Sequence, residues 1–283
     1  MYEKTFFLGL GGQKCGSSWM QAYLARQPGS DFGRLGEYQI WESDLGSVFA
    51  RYRVPEPDWL ELTRAEAKRR LGMTVPAQVL RWRMQTNRDE YFRYFKRLLC
   101  QSGIRSTGDV TPSYAALPVP ILKGIQDGFA AKDIKTRAMF AMRDPVARLR
   151  SHMNMEIAKG RVNTGDEAQL LADFYKTKEA ASRSRYDLTL GAMEDVFGPE
   201  DRFITLFEEL FTPKGTARFA DWACVATERN AGGKAVNARG SGHNELPDAL
   251  ISEIVQTYRH VYEAVFDRLP KARDLWPSSQ YLI

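Results

Sequence analysis

Hydrophobic and polar positions along the chain form short apolar runs separated by segments with a helical period. Residues 5–10 are a continuous apolar run, TFFLGL, which is typical of a strand covered on both faces in a parallel sheet. Residues 138–142 and 202–207 have the same character and predict two further strands. Helical stretches follow the first two strands, over 17–26 and, with Asp144 as the predicted cap, from Pro145 through Arg150 toward 157. Strands that alternate with helices predict an α/β fold with a parallel sheet.

Two more helices are predicted in the second half, over 186–197 and as one continuous apolar period over 250–266 behind Pro247. The section 40–105 differs, because it is rich in Trp and Arg and contains at least one amphipathic helix near 91–99. We interpret it as a helical insertion within one domain that spans 1–283; a plain helical cover of the sheet is the alternative.

Composition limits the class of protein. The chain has 283 residues, of which 43% are hydrophobic and 27% charged, so it is neither disordered nor fibrous. It has no apolar run of ~18 residues, and we expect no membrane-spanning helix. The three cysteines, Cys15, Cys100 and Cys224, form no even disulfide framework, and the first ten residues lack a signal-peptide pattern. A cytoplasmic protein is therefore expected.

The charge balance favours an anionic ligand over a cationic one. Forty Lys and Arg residues against 35 Asp and Glu residues give a net charge of +5. This excess is too small, and too little interleaved with aromatic residues, to indicate nucleic-acid binding. A solvated basic surface is the alternative interpretation.

A glycine-rich turn links the first strand to the first helix. Its sequence is Gly11-Gly12-Gln13-Lys14-Cys15-Gly16-Ser17-Ser18-Trp19. Glycines allow several backbone N–H groups to point inward, and the following helix contributes its positive N-terminal end. Lys14 adds a full charge and the serines add hydroxyl donors. The turn therefore suits a phosphate or a sulfate, although an ordinary strand-to-helix connection remains possible.

Two known phosphate loops do not match this turn. A dinucleotide fingerprint that begins at Gly9 would need glycine where Lys14 stands, and the ATPase loop needs lysine directly after its last glycine. The pattern G-x-x-K-x-G-[ST]-[ST] instead resembles the 5′-phosphosulfate loop of sulfotransferases that use 3′-phosphoadenosine 5′-phosphosulfate (PAPS).

Three further segments make the resemblance specific. Residues 143–151, RDPVARLRS, resemble the 3′-phosphate element R-D-P-x-x-R-x-x-S of that family. Residues 108–114, GDVTPSY, resemble its G-E-x-T-P-x-Y stretch, and 186–210 contain its Y-x-x-x-L segment followed by RFITLFEEL. The matches occur in the family's order and extend from residue 7 to about 266.

The resemblance implies a P-loop-like parallel sheet flanked by helices, a sulfotransferase activity and PAPS as the donor, with no metal. It implies that Lys14 meets the charge that develops on the leaving phosphate, while Arg143 and Ser151 bind the 3′-phosphate. The other donor-binding residues implied by the resemblance are Cys15, Gly16, Ser17, Ser18 and Trp19 for the 5′-phosphate, Tyr186 beside the nucleotide, and Arg239 and Gly240 in a closing loop.

The acceptor also needs a general base, and carbohydrate-type members of the family use a glutamate shortly after the first helix. Glu37 is the nearest counterpart, although Gly36 stands where the family has lysine. Asp109 is the second candidate. Of the three histidines, His260 is expected to be structural and His152 to pack near the nucleotide; His243 lies in the loop with Arg239.

Other hypotheses remain open at this stage. Cys15 could be a nucleophile, because Lys14 and the helix N-terminus would both lower its thiol pKa. The chain could also be an inactive nucleotide-binding module that binds a partner, or an unusual nucleotide kinase. For a sulfotransferase, the acceptor would be a small molecule or a saccharide; the sequence favours neither an anionic saccharide, a phenol nor a lipid headgroup, and leaves the oligomeric state open.

Overall fold

The computed structural model describes residues 4–227 and 245–282, built around a parallel sheet of four strands. The strands are β1 Thr5–Gly9, β2 Ser106–Val110, β3 Lys135–Met142 and β4 Arg202–Leu206. Their order across the sheet is β2-β1-β3-β4, and all three pairings are parallel. The predicted α/β class is confirmed.

Helices occupy the connections between the strands. They are α1 Ser17–Ala25, α2 Trp59–Arg70, α3 Ala77–Thr86, α4 Arg88–Leu99, α5 Val119–Ala130, α6 Pro145–Ala158, α7 Glu167–Phe174, α8 Lys178–Ser182, α9 Tyr186–Val196, α10 Phe207–Leu210, α11 Pro213–Ala223, α12 Asp248–Thr257, α13 Arg259–Arg268 and α14 Ala272–Leu275. Short 3₁₀ turns cover Glu42–Asp44, Ser47–Tyr52, Pro112–Ala116, Pro199–Asp201 and Pro277–Tyr281. Within the described ranges, none of these helices is long and apolar enough to span a bilayer.

Strand β2 has no counterpart among the predicted strands, because its sequence STGDV has no apolar run. It is nevertheless buried from Thr107 onward. Gly108 explains the close packing, since a Cβ there would lie 2.5 Å from the carbonyl oxygen of Phe7 and 2.6 Å from the ring of Phe32. The burial of β2 depends on these tertiary neighbours. Hydrophobic periodicity contains no information about them, so it did not predict the strand.

The single helix predicted over 250–266 is wrong. The chain forms two helices, α12 and α13, which are separated at Tyr258. The Tyr258 hydroxyl donates to the carbonyl of Tyr175, 2.8 Å away, and this buried contact holds the break in place. The apolar period continues through the break because both helices face the same core, so the pattern gave no indication of two segments.

Aromatic rings fill the space between β1 and the helices that precede and follow β2. Phe6 is fully buried, stacks on Phe129 of α5 at 3.9 Å between ring centroids, and meets Phe95 of α4 edge-on at 4.8 Å. Helix α4 therefore contributes directly to the core, although it lies within the section 40–105. This packing fixes the position of β1 and of the turn that follows it.

We predict that Phe6→Ala lowers the free energy of unfolding by about 3–5 kcal/mol, because a large buried ring is replaced by a cavity. Equilibrium denaturation in urea measures the change. Leu188→Ala, at a side chain that is 58% exposed, is the matched control and should change the free energy of unfolding by less than ~0.5 kcal/mol. A loss below ~1 kcal/mol for Phe6→Ala would contradict this packing.

Candidate functional site

The carboxyl ends of β1, β2 and β3 open into one cavity of about 1030 Å³, called the main cavity here. Loops that follow parallel strands meet at this edge of a sheet, which is where α/β proteins commonly bind ligands. Its charged wall residues are Lys14, Glu37, Arg51, Arg143, Asp144, Arg150, Lys159, Arg161 and Arg183. Ser17, Ser18, Ser113, Ser151 and Ser278 are among its hydroxyl-bearing residues.

The glycine-rich turn is held against the end of β3. The N–H of Gly12 donates to the carbonyl of Ala141 at 2.7 Å, and the N–H of Cys15 donates to Gly12 at 3.1 Å. Lys14 has a φ of 67° and Gly16 a φ of 97°, both in the left-handed region. The turn ends at α1, whose cap residue Gly16 supplies no side-chain acceptor. The start of this helix therefore has no side-chain cap, and Gly16, Ser17 and Ser18 line the cavity.

The start of α6 is fixed by Asp144. One carboxylate oxygen accepts from the N–H groups of Val146 and Ala147 at 2.9 and 3.3 Å and thereby caps the helix. The other oxygen accepts from the N–H and the hydroxyl of Ser278, at 2.9 and 2.6 Å. The C-terminal turn 277–281 is thus held at the cavity. Sequence reasoning missed this turn, since nothing in its residues indicates a ligand.

Arg143 and Ser151 both line the main cavity. Arg143 lies between β3 and α6, and Ser151 lies in the middle of α6. The Arg143 guanidinium lies over the ring of Phe207, 4.6 Å from its centroid. Among the described residues, no carboxylate forms a salt bridge with Arg143. A guanidinium that is oriented by a ring and not neutralised is suited to an anionic ligand.

Arg148, the second arginine of the 143–151 element, is fully buried and does not reach the cavity. Its guanidinium donates to the hydroxyl of Ser184 at 2.7 Å and to the carbonyl of Ala180 at 3.3 Å. It joins α6 to α8 and to the segment before α9. Arg148 therefore positions α6. The sequence element alone does not show whether this arginine positions the helix or binds a ligand.

Glu37 projects into the main cavity. Its carboxylate accepts from the side-chain amide of Gln39 at 3.3 Å, and its backbone carbonyl accepts from Arg81 at 2.8 Å. Partial burial in the cavity raises the pKa of this carboxyl, while the hydrogen bond from Gln39 and the positive charges of Lys159, Arg183 and Arg81 act in the opposite direction. A carboxylate with a raised pKa that faces a cavity has the properties of a general base.

Asp109 does not line the main cavity; it is fully buried at the end of β2. It accepts hydrogen bonds from the hydroxyls of Thr111, Tyr114 and Tyr91, at 2.7, 2.7 and 3.0 Å. Burial raises its pKa to about 6, against the effect of these donors. The second candidate base is therefore enclosed by protein and has no path to an acceptor in this structure.

Comparison with known proteins supports the architecture. The solved sulfotransferase from Alicyclobacillus acidocaldarius aligns over 95% of this chain and 97% of its own, with a TM-score of 0.59 at 16% identity. The chain has the sulfotransferase fold. Two further solved structures align less closely: the sulfotransferase domain from the curacin biosynthetic pathway (TM-score 0.46, 14% identity, 86% of this chain and 82% of that one) and the sulfotransferase domain from the Synechococcus PCC 7002 olefin synthase (0.47, 17%, 89% and 86%). No family model and no curated protein matches the sequence.

Neither of the two histidines in the described ranges lines the main cavity. His152 is fully buried against Phe174, with ring centroids 4.9 Å apart, and burial lowers its pKa to about 4. His260 is on α13 and does not line the cavity. His243, Arg239 and Gly240 lie outside the described residues. Within those residues no group of three His, Cys, Asp or Glu side chains could hold a metal ion.

Three other residues that were predicted to bind the donor lie in the interior of the fold. Trp19 packs between Tyr23 and Phe211, and its N–H donates to the carbonyl of Gly16. Tyr186 donates from its hydroxyl to the carbonyl of Arg143 at 3.1 Å and lies 3.5 Å from the Cys15 sulfur. None of Cys15, Trp19 and Tyr186 forms part of the cavity wall. They pack behind the wall, where Tyr186 contacts both Arg143 and Cys15.

The expected lowering of the Cys15 thiol pKa is wrong. Its side chain is fully buried, and burial raises the pKa to about 11, since a thiolate would lose its hydration. At pH 8 we therefore predict that iodoacetamide modifies Cys15 at least ~100-fold more slowly than Cys100 and Cys224, which are exposed. Peptide mass spectrometry of the folded protein measures the three rates. Rapid labelling of Cys15 would restore the thiol-nucleophile hypothesis.

Proposed function

We propose that this protein is a PAPS-dependent sulfotransferase that moves a sulfuryl group from the donor to a hydroxyl or amine of an acceptor, by in-line displacement at sulfur. The observation that carries the proposal is that Lys14, the open N-terminus of α1, Arg143 and Ser151 all face one cavity of about 1030 Å³. Cavities of this size hold cofactor-sized ligands.

The two phosphate-bearing ends of the donor would bind to different parts of the cavity wall. The 5′-phosphosulfate would lie on the turn, where Gly16, Ser17 and Ser18 offer backbone and hydroxyl donors at the positive end of α1. The 3′-phosphate would lie between Arg143 and Ser151, since an arginine can form two parallel hydrogen bonds with a phosphate.

Transfer requires stabilisation of the charge that builds on the 5′-phosphate as its bond to sulfur breaks. Lys14 is in the turn that would hold this phosphate and carries a full positive charge. A positioned charge of this kind stabilises the transition state more than the ground state, because the phosphate oxygens gain negative charge only as the bond breaks.

Glu37 would accept the proton of the acceptor group. Its carboxylate faces the same cavity as Lys14, and Asp109 holds the segment that carries it. The glycine at position 36, where carbohydrate-type members of the family have lysine, removes one cation from beside this base. Lys159 and Arg183 supply positive charge to Glu37 instead.

The first test is donor binding. The desulfated product, adenosine 3′,5′-bisphosphate, at 100 times its dissociation constant should stabilise the protein by about 2.7 kcal/mol, which a melting curve detects. Lys14→Ala should slow sulfate transfer about 10²–10³-fold. Lys96→Ala, at an exposed position on α4, is the control and should behave like the unchanged protein. No stabilisation by the bisphosphate would contradict the proposal.

The second test concerns the base. Glu37 must be ionised to accept a proton and its pKa is raised, so kcat/KM should fall as pH decreases through a midpoint above 4.5, the ordinary value for this side chain. Glu37→Gln should remove this acid limb and lower kcat by about 10²-fold or more, with donor binding retained. An unchanged pH profile would exclude Glu37, and donor binding without any transfer would favour an inactive binding module.

A further inference from the structure

We propose that the acceptor is an anion: it carries a carboxylate, sulfate or phosphate group near the hydroxyl that receives the sulfuryl group. This inference rests on the proposed function and names the class of its second substrate. It depends on the distribution of charge in the main cavity, which has seven basic and only two acidic wall residues.

Donor binding would use only part of this positive charge. Lys14 and Arg143 are the two cations assigned to the donor phosphates. Five basic residues remain on the wall: Arg51, Arg150, Lys159, Arg161 and Arg183. Arg150 is paired with Glu167 and Arg161 with Glu156. The remaining three, of which Arg51 and Arg183 share a single carboxylate, are the candidates for a second anionic ligand.

Lys159 lies on the acceptor side of the cavity. It directly follows α6, eight residues and therefore roughly 12 Å along the helix axis beyond Ser151. Its charge is the strongest positive influence on the Glu37 carboxylate. The length of α6 thus separates Lys159 from the proposed 3′-phosphate site, and Lys159 lines the same cavity as Glu37. No carboxylate of the described residues forms a salt bridge with Lys159.

Arg51 and Arg183 strengthen the positive charge beside Lys159. Both pair with the same carboxylate, that of Glu179, at 2.6 and 2.9 Å. Against the effect of burial, a hydrogen bond with His152 and the charges of these two arginines lower the pKa of Glu179 to about 2. One carboxylate cannot neutralise two guanidiniums, so a net positive charge remains at the wall. Such a charge would offset the repulsion between an anionic acceptor and the anionic donor bound next to it.

The positive surface continues beyond the main cavity. A second cavity of about 840 Å³ shares Gln39, Arg51 and Tyr52 with it, so the two adjoin. Its other basic wall residues are Arg53, Arg64, Lys68 and Arg81, and its acidic ones are Glu56 and Glu61. An acceptor longer than one ring would extend into this space with further negative groups facing cations.

The test uses matched pairs of hydroxy acids and their methyl esters, which differ in charge and little in shape. Hydroxybenzoates and uronic-acid-containing disaccharides supply such pairs. Calorimetry with the enzyme saturated by adenosine 3′,5′-bisphosphate should show that the acids of at least one scaffold bind ~10-fold or more tightly than their esters. Lys159→Glu should abolish this preference, whereas Lys96→Glu, with the same change in net charge at an exposed site outside both cavities, should leave it unchanged.

Equal binding of acids and esters would overturn the inference. So would the absence of binding by either ligand at a concentration of about 10 mM, which sets the weakest affinity tested. A preference for acids that survives Lys159→Glu would overturn the assignment of the anion to this part of the cavity. The proposed function fails separately, through the absence of bisphosphate binding in the first titration of the same experiment.

Discussion

The position of the candidate base depends on one buried carboxylate. Asp109 lies at the end of β2, where it accepts from the hydroxyls of Thr111 and Tyr114. Those hydroxyl oxygens in turn accept from the N–H groups of Tyr38 and Ile40, at 3.1 and 3.2 Å. A carboxylate without solvent requires such donors, because an unpaired buried charge is strongly destabilising. The requirement joins the segment that carries Glu37 to the edge of the sheet.

Asp144 provides the corresponding connection at the end of β3. It caps α6 with one oxygen and holds Ser278 with the other. Helix α6, which carries Ser151 and begins two residues after Arg143, is therefore anchored at its first turn, and the turn 277–281 is held beside it. In both places an acidic residue at a strand end fixes a neighbouring segment through hydrogen bonds to hydroxyl and backbone N–H groups.

Charge is distributed unevenly along the cavity. Burial disfavours ionisation of Cys15, so the glycine-rich turn gains no negative charge from a thiolate. Glu37 is influenced by the positive charges of Lys159 and Arg183, and in the proposed reaction this part of the wall would face the acceptor, not the donor phosphates. In the proposed reaction both substrates would be anions, and positive charge on the cavity wall would offset their mutual repulsion.

Local patterns in the sequence determined the strand, turn and helix at Thr5–Ala25 and the cap at Asp144, because apolar runs, glycines and capping residues act over a few neighbouring positions. The elements around Lys14 and Arg143 were predictable for this reason. Glu37 was predictable as a candidate only through the family resemblance, since one glutamate in a loop has no local signature.

Tertiary structure decided the rest. Strand β2 exists because Gly108 fits against Phe7 and Phe32, and the break at Tyr258 exists because its hydroxyl reaches Tyr175. The difference between Tyr186, which supports the site from inside, and Ser278, which lines it, also required coordinates. Burial and the direction of a side chain depend on residues that are distant in the chain. A single sequence can therefore indicate the chemistry of a motif, but it does not show which of the motif's residues line the cavity.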